Sequence, residues 1–232
     1  MTAGRRGLVI AIDGPSGVGK STIARLLADR LGYRYIDTGA MYRALAWLAR
    51  RNGVSLNDPR PLASLGMGMD IQYTGGAGGA RIRVSGRDVT EEIRKPGVGD
   101  DASRVSQFPE VREALVRKQR ELGAGGSVVM EGRDIGSVVF PDADLKVFLE
   151  ADLDERARRR DLQWRGKGIE VPREKILDEI RGRDQRDSGR KVAPLRVPEG
   201  AVRIDTTRMS QEEVLEAILS RLAGRSPAGP SK

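Results

Sequence analysis

Eight residues near the start of the chain carry the clearest chemistry: Gly14-Pro15-Ser16-Gly17-Val18-Gly19-Lys20-Ser21. The pattern is G-x-x-x-x-G-K-S, in which glycines let backbone N–H groups turn inward around phosphate oxygens. A helix beginning at the lysine adds its positive end at the same place. Lys20 reaches outer phosphates as a mobile point charge. Ser21 offers a hydroxyl to Mg²⁺ or its water shell, and Thr22 extends the loop into the helix. The spacing predicts a nucleotide-phosphate loop over Gly14–Thr22. Alone it does not separate a kinase from an ATPase or GTPase.

Other candidates are cationic. Arg43, Arg133, Arg183 and Arg190 all fall near expected strand ends or in a late charged region. Phosphoryl transfer is catalysed by positioning and by neutralising charge on the moving group, so convergent cations are what it requires. Lys20, Arg133 and Arg190 are the expected catalytic cations. An acceptor phosphate is largely ionised at neutral pH and needs little help from a base. The chain contains no histidine and no cysteine. Imidazole and thiolate chemistry are excluded, and any metal must take oxygen ligands, which suits Mg²⁺.

The elements that must hold these residues follow from periodicity. Leu8 to Ile12 is a continuous apolar run, expected of a strand buried on both faces. A helix from Lys20 to about Leu31 places Ile23, Leu27 and Leu31 on one side, and Gly32 stops it. A strand follows over Tyr33 to Ile36. A helix then runs to about Arg51, with Asp37 or Thr38 as its cap. Met69–Tyr73 and Arg81–Val84 alternate like half-buried strands, joined by a turn over Gly75 to Gly79 and followed by a second turn at Ser85–Asp88. Later come a helix over Pro109–Leu122, strands at Val128–Met130, Leu145–Leu149 and Val202–Ile204, two charged helices between Asp154 and Asp187, and an amphipathic helix over Gln211–Leu222. Strands alternating with helices predict an α/β fold with a parallel five-stranded sheet, ligands binding beyond the strands' carboxyl ends.

Composition limits the partners. In 232 residues, 41 Lys and Arg against 33 Asp and Glu give a formal charge of +8, which favours an anionic ligand without choosing one. Aromatics at 4% argue against a base-stacking nucleic-acid platform. No run has the length of a membrane span, and the short apolar run after Arg5-Arg6 turns into the glycine loop, which argues against a signal peptide. The expectations are no nucleic acid, no membrane, a cytoplasmic setting and a monomer. A module that binds RNA is the competing class, motivated by the charge.

At Asp37-Thr38-Gly39-Ala40-Met41-Tyr42-Arg43, Phe108-Pro109-Glu110-Val111-Arg112, Glu131-Gly132-Arg133-Asp134-Ile135-Gly136 and Val138-Val139-Phe140-Pro141-Asp142-Ala143 the chain resembles bacterial cytidylate kinases. Arg183-Asp184-Gln185-Arg186-Asp187 with Arg190, and Val192-Ala193-Pro194-Leu195, extend the likeness, which runs from about Leu8 to Leu222. The resemblance implies a P-loop kinase core with a small antiparallel insert and a helical lid, moving the γ-phosphate of ATP to CMP or dCMP with Mg²⁺. It implies cytosine contacts from Ser103, Arg112 and Asp134, acceptor-phosphate contacts from Arg43, Arg133 and Arg190, and Arg183 and Asp187 near the sugar. Asp37 joins the acceptor-side residues, with a helix cap as its other reading. Expected boundaries are a core of 7–63, 95–153 and 192–223, an insert of about 64–94, a lid of about 154–191, and a disordered tail at 224–232.

Plainer readings stand beside these. Between Asp154 and Lys191 there are 13 Lys and Arg against 9 Asp and Glu, a mixed run that usually marks exposed helices. Arg156, Arg158, Arg159 and Arg160 read there mainly as solvated charge, with one or two reaching ATP. Arg112 and Asp134 could be a simple ion pair. Glu131 is open between Mg²⁺ and a structural arginine partner. Tyr42, Trp47 and Trp164 read as packing residues. Other P-loop acceptors, such as UMP, AMP or shikimate, are the competing enzyme readings.

Overall fold

The structure is a computed structural model describing residues 7–74 and 81–223. The expected Gly75–Gly79 turn and the tail from 224 lie outside the described residues.

Strand β1 (Val9–Asp13) is fully buried and sits at the centre of a five-stranded sheet. Its neighbours are β6 (Val128–Gly132) and β7 (Leu145–Glu150), with β2 (Arg34–Asp37) and β8 (Val202–Asp205) at the edges. Every pairing is parallel, in the order β2-β6-β1-β7-β8. Alternation along β1 serves two cores. Ile10 and Ile12 pack on helices α1 (Lys20–Leu31) and α8 (Gln211–Leu222) through Ile23, Leu27 and Ile218. Val9 and Ala11 face the other way, onto Ile36, Met130, Val116 and Ile135. Both faces are covered, which is why β1 carries no polar residue before Asp13.

A third core holds α2 (Thr38–Arg51), α3 (Pro59–Gly68), α4 (Val98–Val105) and α5 (Pro109–Gly123) against a small antiparallel sheet. That sheet is β3 (Ile71–Thr74), β4 (Arg81–Val84) and β5 (Arg87–Asp88), with Ile71, Ile82 and Val84 facing inward. Ser85 and Gly86 both take positive φ, 48° and 78°, between the paired Val84 and Arg87. This is the two-residue hairpin turn whose twist suits the flanking strands. The segment expected as a turn thus also contributes a third strand. Helix α3 ends at Gly68, and the antiparallel sheet opens at Ile71.

Helices α6 (Leu153–Arg165) and α7 (Arg173–Ser188) pack on one another through a small cluster of Ala157, Ile176 and Ile180. Among the described residues no helix is long and apolar enough to cross a membrane.

Candidate active site

The loop after β1 is shaped by close backbone approach. Gly14 has φ 148°, and a Cβ there would lie 2.2 Å from the Leu149 carbonyl oxygen of β7. Only glycine lets the chain leave β1 so near its neighbour. Gly19 precedes α1 in the left-handed conformation, with no side chain capping the helix. The first-turn N–H groups therefore face the loop, available to an anion. Lys20 is buried, and its ammonium donates to the Pro15 carbonyl at 2.6 Å. Burial and the nearby Arg133 hold its pKa well below the ordinary lysine value.

Two clefts meet at this loop. The first, of about 460 Å³, runs from Ser16–Thr22 to the ends of β2 and β6, and is walled by α4 and α7. It gathers Lys20, Arg43, Arg133, Arg160, Arg183 and Arg190. Arg43 pairs with Asp37 at 2.7 Å, while Asp37 also caps α2 by accepting the Ala40 N–H at 2.9 Å. The Tyr73 hydroxyl donates to the Asp37 carbonyl at 2.7 Å, so β3 steadies the start of α2. Asp187 on α7 accepts from Arg133 at 2.8 Å and pairs with Arg190. Arg112 on α5 and Asp134 after β6 form a buried ion pair, and the Arg112 guanidinium also meets the Tyr42 hydroxyl at 3.4 Å.

The cations are crowded. Burial, with Arg133, Arg160 and Arg43 as neighbours, pushes Arg183 down to about 9, and Asp187 opposes this. Arg160 is lowered by burial and by Arg43 and Arg133. The Nε atoms of Arg43, Arg112, Arg183 and Arg190 are buried without a hydrogen-bond partner. A buried donor left unpaired costs roughly 1–3 kcal/mol, more when charged. An anionic ligand in the cleft would offset the crowding of positive charge.

Acids set the geometry of the opposite wall. Asp13 is fully buried and accepts the N–H groups of Ile135 and Gly136 at 2.8 and 2.7 Å. It thereby fixes the turn carrying Arg133 and Asp134 to the end of β1. Burial pushes its carboxyl up to about 7, against the pull of those donors and Lys20. Glu131 accepts from the Tyr35 hydroxyl at 2.7 Å. Burial and Asp37 raise its pKa, while Lys20 and hydrogen bonds from Ser21 and Tyr35 pull it down. Ser21, exposed at the head of α1, and Glu131 are the oxygen donors beside Lys20. Among the described residues no three His, Cys, Asp or Glu side chains form a metal cage. One hydroxyl and one carboxylate next to a phosphate loop fit Mg²⁺, which takes few protein ligands and keeps waters and nucleotide phosphates.

The second cleft, of about 820 Å³, lies across the loop. It is lined by Gly17–Ile23, by α6 and by Thr206–Gln211. Here the reading of α6 as mostly solvated gives way. Arg156 is buried and donates to the Ser16 carbonyl at 3.3 Å and to Asp184 at 2.5 Å. Arg159 donates to the Val18 carbonyl at 3.3 Å and the Thr206 carbonyl at 2.6 Å, and Arg160 to the Ser16 hydroxyl at 3.1 Å. Of the four, only Arg158 stays on the exposed side, paired with Glu155.

Ser16, Gly17 and Lys20–Thr22 line the first cleft together with Asp37, Arg43, Ser103, Arg112, Arg133, Asp134, Arg183, Asp187 and Arg190. Val18 and Gly19 face the second. Gly14 and Pro15 line neither; one packs on β7 and the carbonyl of the other accepts a hydrogen bond from the Lys20 ammonium. Tyr42 and Trp164 also reach the first cleft, beyond a packing role, whereas the Trp47 ring has the guanidinium groups of Arg51 and Arg87 5.5 and 5.6 Å from its centre. Tyr35 and Arg94 on the first cleft and Thr206–Arg208 on the second were not singled out by the sequence, since a strand residue, a turn residue and a segment after a strand carry no local mark of a ligand.

The family described as Cytidylate kinase matches residues 10–223 of the chain. A cytidylate kinase of Caldanaerobacter subterraneus subsp. tengcongensis is 53% identical over 209 residues, 90% of this chain and 92% of that one. The cytidylate kinase of Geobacter sulfurreducens is 49% identical over 228 residues, 98% of each chain. That of Pseudomonas syringae pv. tomato is 49% identical over 223 residues, 95% of this chain and 97% of that one. With a phosphate loop at the end of a central parallel strand, a buried Arg–Asp pair in the adjoining cleft and relatives matched along nearly their whole length, this chain belongs to the cytidylate kinase family.

Proposed function

We propose that the protein transfers the γ-phosphate of ATP to CMP or dCMP, giving ADP and the nucleoside diphosphate. The observation that carries the acceptor is the buried Arg112–Asp134 pair, set beside Ser103 in a cleft whose remaining cations converge on the phosphate loop. Cytosine presents an amino donor at N4 and acceptors at N3 and O2. A carboxylate accepts from N4, and a guanidinium donates to N3 or O2. Uracil reverses the pattern and would leave buried groups unpaired, a basis for strong rejection.

In this reading CMP phosphate is held by Arg43, Arg133 and Arg190, with Arg183 and Asp187 beside the sugar. ATP phosphates lie in the loop against Lys20, and its adenosine occupies the larger cleft. Mg²⁺, when bound next to Ser21 and Glu131, offsets the charge shared by the β- and γ-phosphates. A CMP phosphate oxygen forms the new bond to the γ-phosphorus as the bond to the bridging oxygen of ADP breaks. The acceptor oxygen is already ionised, so no general base is required. Arg133 and Lys20 stand between the two phosphate sites and offset the repulsion of the approaching anions. Helices α6 and α7 form a lid that keeps water from the γ-phosphate.

The test is ADP release from ATP with a panel of acceptors. CMP and dCMP should exceed UMP and AMP by at least about a hundredfold in kcat/KM. UMP or AMP leading the panel would overturn the cytosine assignment.

A further inference from the structure

Helix α7 turns Arg183 and Asp187 toward the first cleft. Arg186, one residue before Asp187 and so about 100° away around the helix, points instead to α4. Its Nε–H donates to the Ser103 hydroxyl oxygen at 3.0 Å, and a terminal N–H of the same guanidinium pairs with Asp100. Ser103 is buried, 3% exposed, and lines the same cleft as Arg112 and Asp134.

A serine hydroxyl has one proton and two acceptor positions, and its proton rotates freely unless a partner fixes it. An arginine offers donors only. With Arg186 donating to one acceptor position, the hydroxyl proton must turn away from the guanidinium. That leaves it a defined donor and one remaining lone pair for the cleft.

We propose that Arg186 is a positioning residue for acceptor recognition: it orients the Ser103 hydroxyl toward the base and makes that orientation depend on α7 being seated. The inference rests on the cytidylate reading of the cleft. It assigns α7 two tasks on two faces: one toward phosphate and sugar, the other toward the group that reads the base. A base that fits then finds its serine ordered only when the lid helix is in place. UMP, whose edge mismatches Asp134 and Arg112, gains less from an ordered Ser103 and so has less to lose.

The alternative is that Arg186 only fastens α7 to α4 through its exposed pair with Asp100. The experiment is steady-state kinetics with CMP, UMP and ATP on wild type, Arg186→Ala, Arg186→Gln, Asp100→Ala, Ser103→Ala and the Ser103→Ala/Arg186→Ala double variant. For Arg186→Ala we expect KM for CMP to rise about tenfold. KM for ATP should stay within about twofold, and the CMP preference over UMP should fall. Arg186→Gln keeps one donor in reach of Ser103 without charge for Asp100, and should recover most of the CMP affinity. Asp100→Ala should behave as wild type, and the double variant should be no worse than Ser103→Ala. Asp100→Ala matching Arg186→Ala, additive losses in the double variant, or equal losses for CMP and UMP would overturn the proposal. Wild type preferring UMP or AMP would instead overturn the reading of the cleft on which it rests.

Discussion

Arg183 shows how a single side chain can be a burden to the empty protein and an asset to the loaded one. It is half-buried among Arg43, Arg133 and Arg160, with Asp187 a carboxylate that opposes them. Replacing it with methionine removes repulsion and an unpaired donor while keeping an unbranched chain in the space. We expect Arg183→Met to leave the thermal midpoint of the free protein unchanged or raise it. It should cost about 10- to 100-fold in kcat/KM for CMP, the worth of a charge-assisted hydrogen bond. Thermal melts and acceptor titrations check both halves; a lower midpoint would mean that Arg183 stabilises the free fold. The residues of this cleft were legible to very different degrees. Arg43, Arg112, Arg133, Asp134 and Arg190 stand in distinctive local patterns. Arg160 lies in a run of three successive arginines, and only the packing of α6 decides which face meets the phosphate loop. A charge run carries no mark of which charges are buried.

At the scale of elements, the approach of β7 to the loop is the tightest constraint. A Gly14→Ala side chain would collide with the Leu149 carbonyl, whose own position is fixed by the sheet. We expect a loss of ~2–4 kcal/mol from overpacking and backbone strain together. ATP affinity should fall along with it, because the loop must move. Gly32, also at positive φ but with open space where a Cβ would sit, is the control. Gly32→Ala should cost only about 1 kcal/mol and leave KM for ATP unaltered. Denaturant midpoints and ATP titrations separate the two; equal kinetic effects would dissociate the close approach from the shape of the loop. The pattern of apolar residues was sufficient for α1 and α8, which the structure places over the expected residues. It was insufficient for α3 and α4. Both contain glycine, and α4 opens with Val98-Gly99-Asp100-Asp101. These are weak helix formers, held helical by burial of Leu62, Ala102 and Val105 against α2 and α5. Gly66 is part of the reason: it brings α3 close to Leu45 and Leu115, a tertiary fact invisible in a local window.

For the whole molecule, apolar burial is unequal. The sheet and the α2–α5 region have extensive cores, whereas α6 and α7 share one small cluster and otherwise rest on polar contacts to the loop and α4. Regions with little buried apolar surface open first. Amide hydrogen exchange should therefore be faster over 153–188 than over β1 and β6, and a compound joining cytidine and adenosine through phosphates should slow it there most. Uniform protection across the chain would argue against a separately moving lid. The parallel topology was legible because β1, β2, β7 and β8 are each followed by a helix, but the order β2-β6-β1-β7-β8 was not, since periodicity does not say which strands become neighbours. That order has a consequence for biosynthesis. Val9 of the central strand pairs with Val128, and Ile10 with Leu145. At ~5–20 residues per second, the ribosome delivers both partners on the order of ten seconds after β1 itself. Through that interval the most apolar strand of the sheet has no partner on either side. A nascent chain stalled before Leu145 would lack one wall of its own nucleotide site and would offer chaperones a bare Val-Ile-Ala-Ile segment.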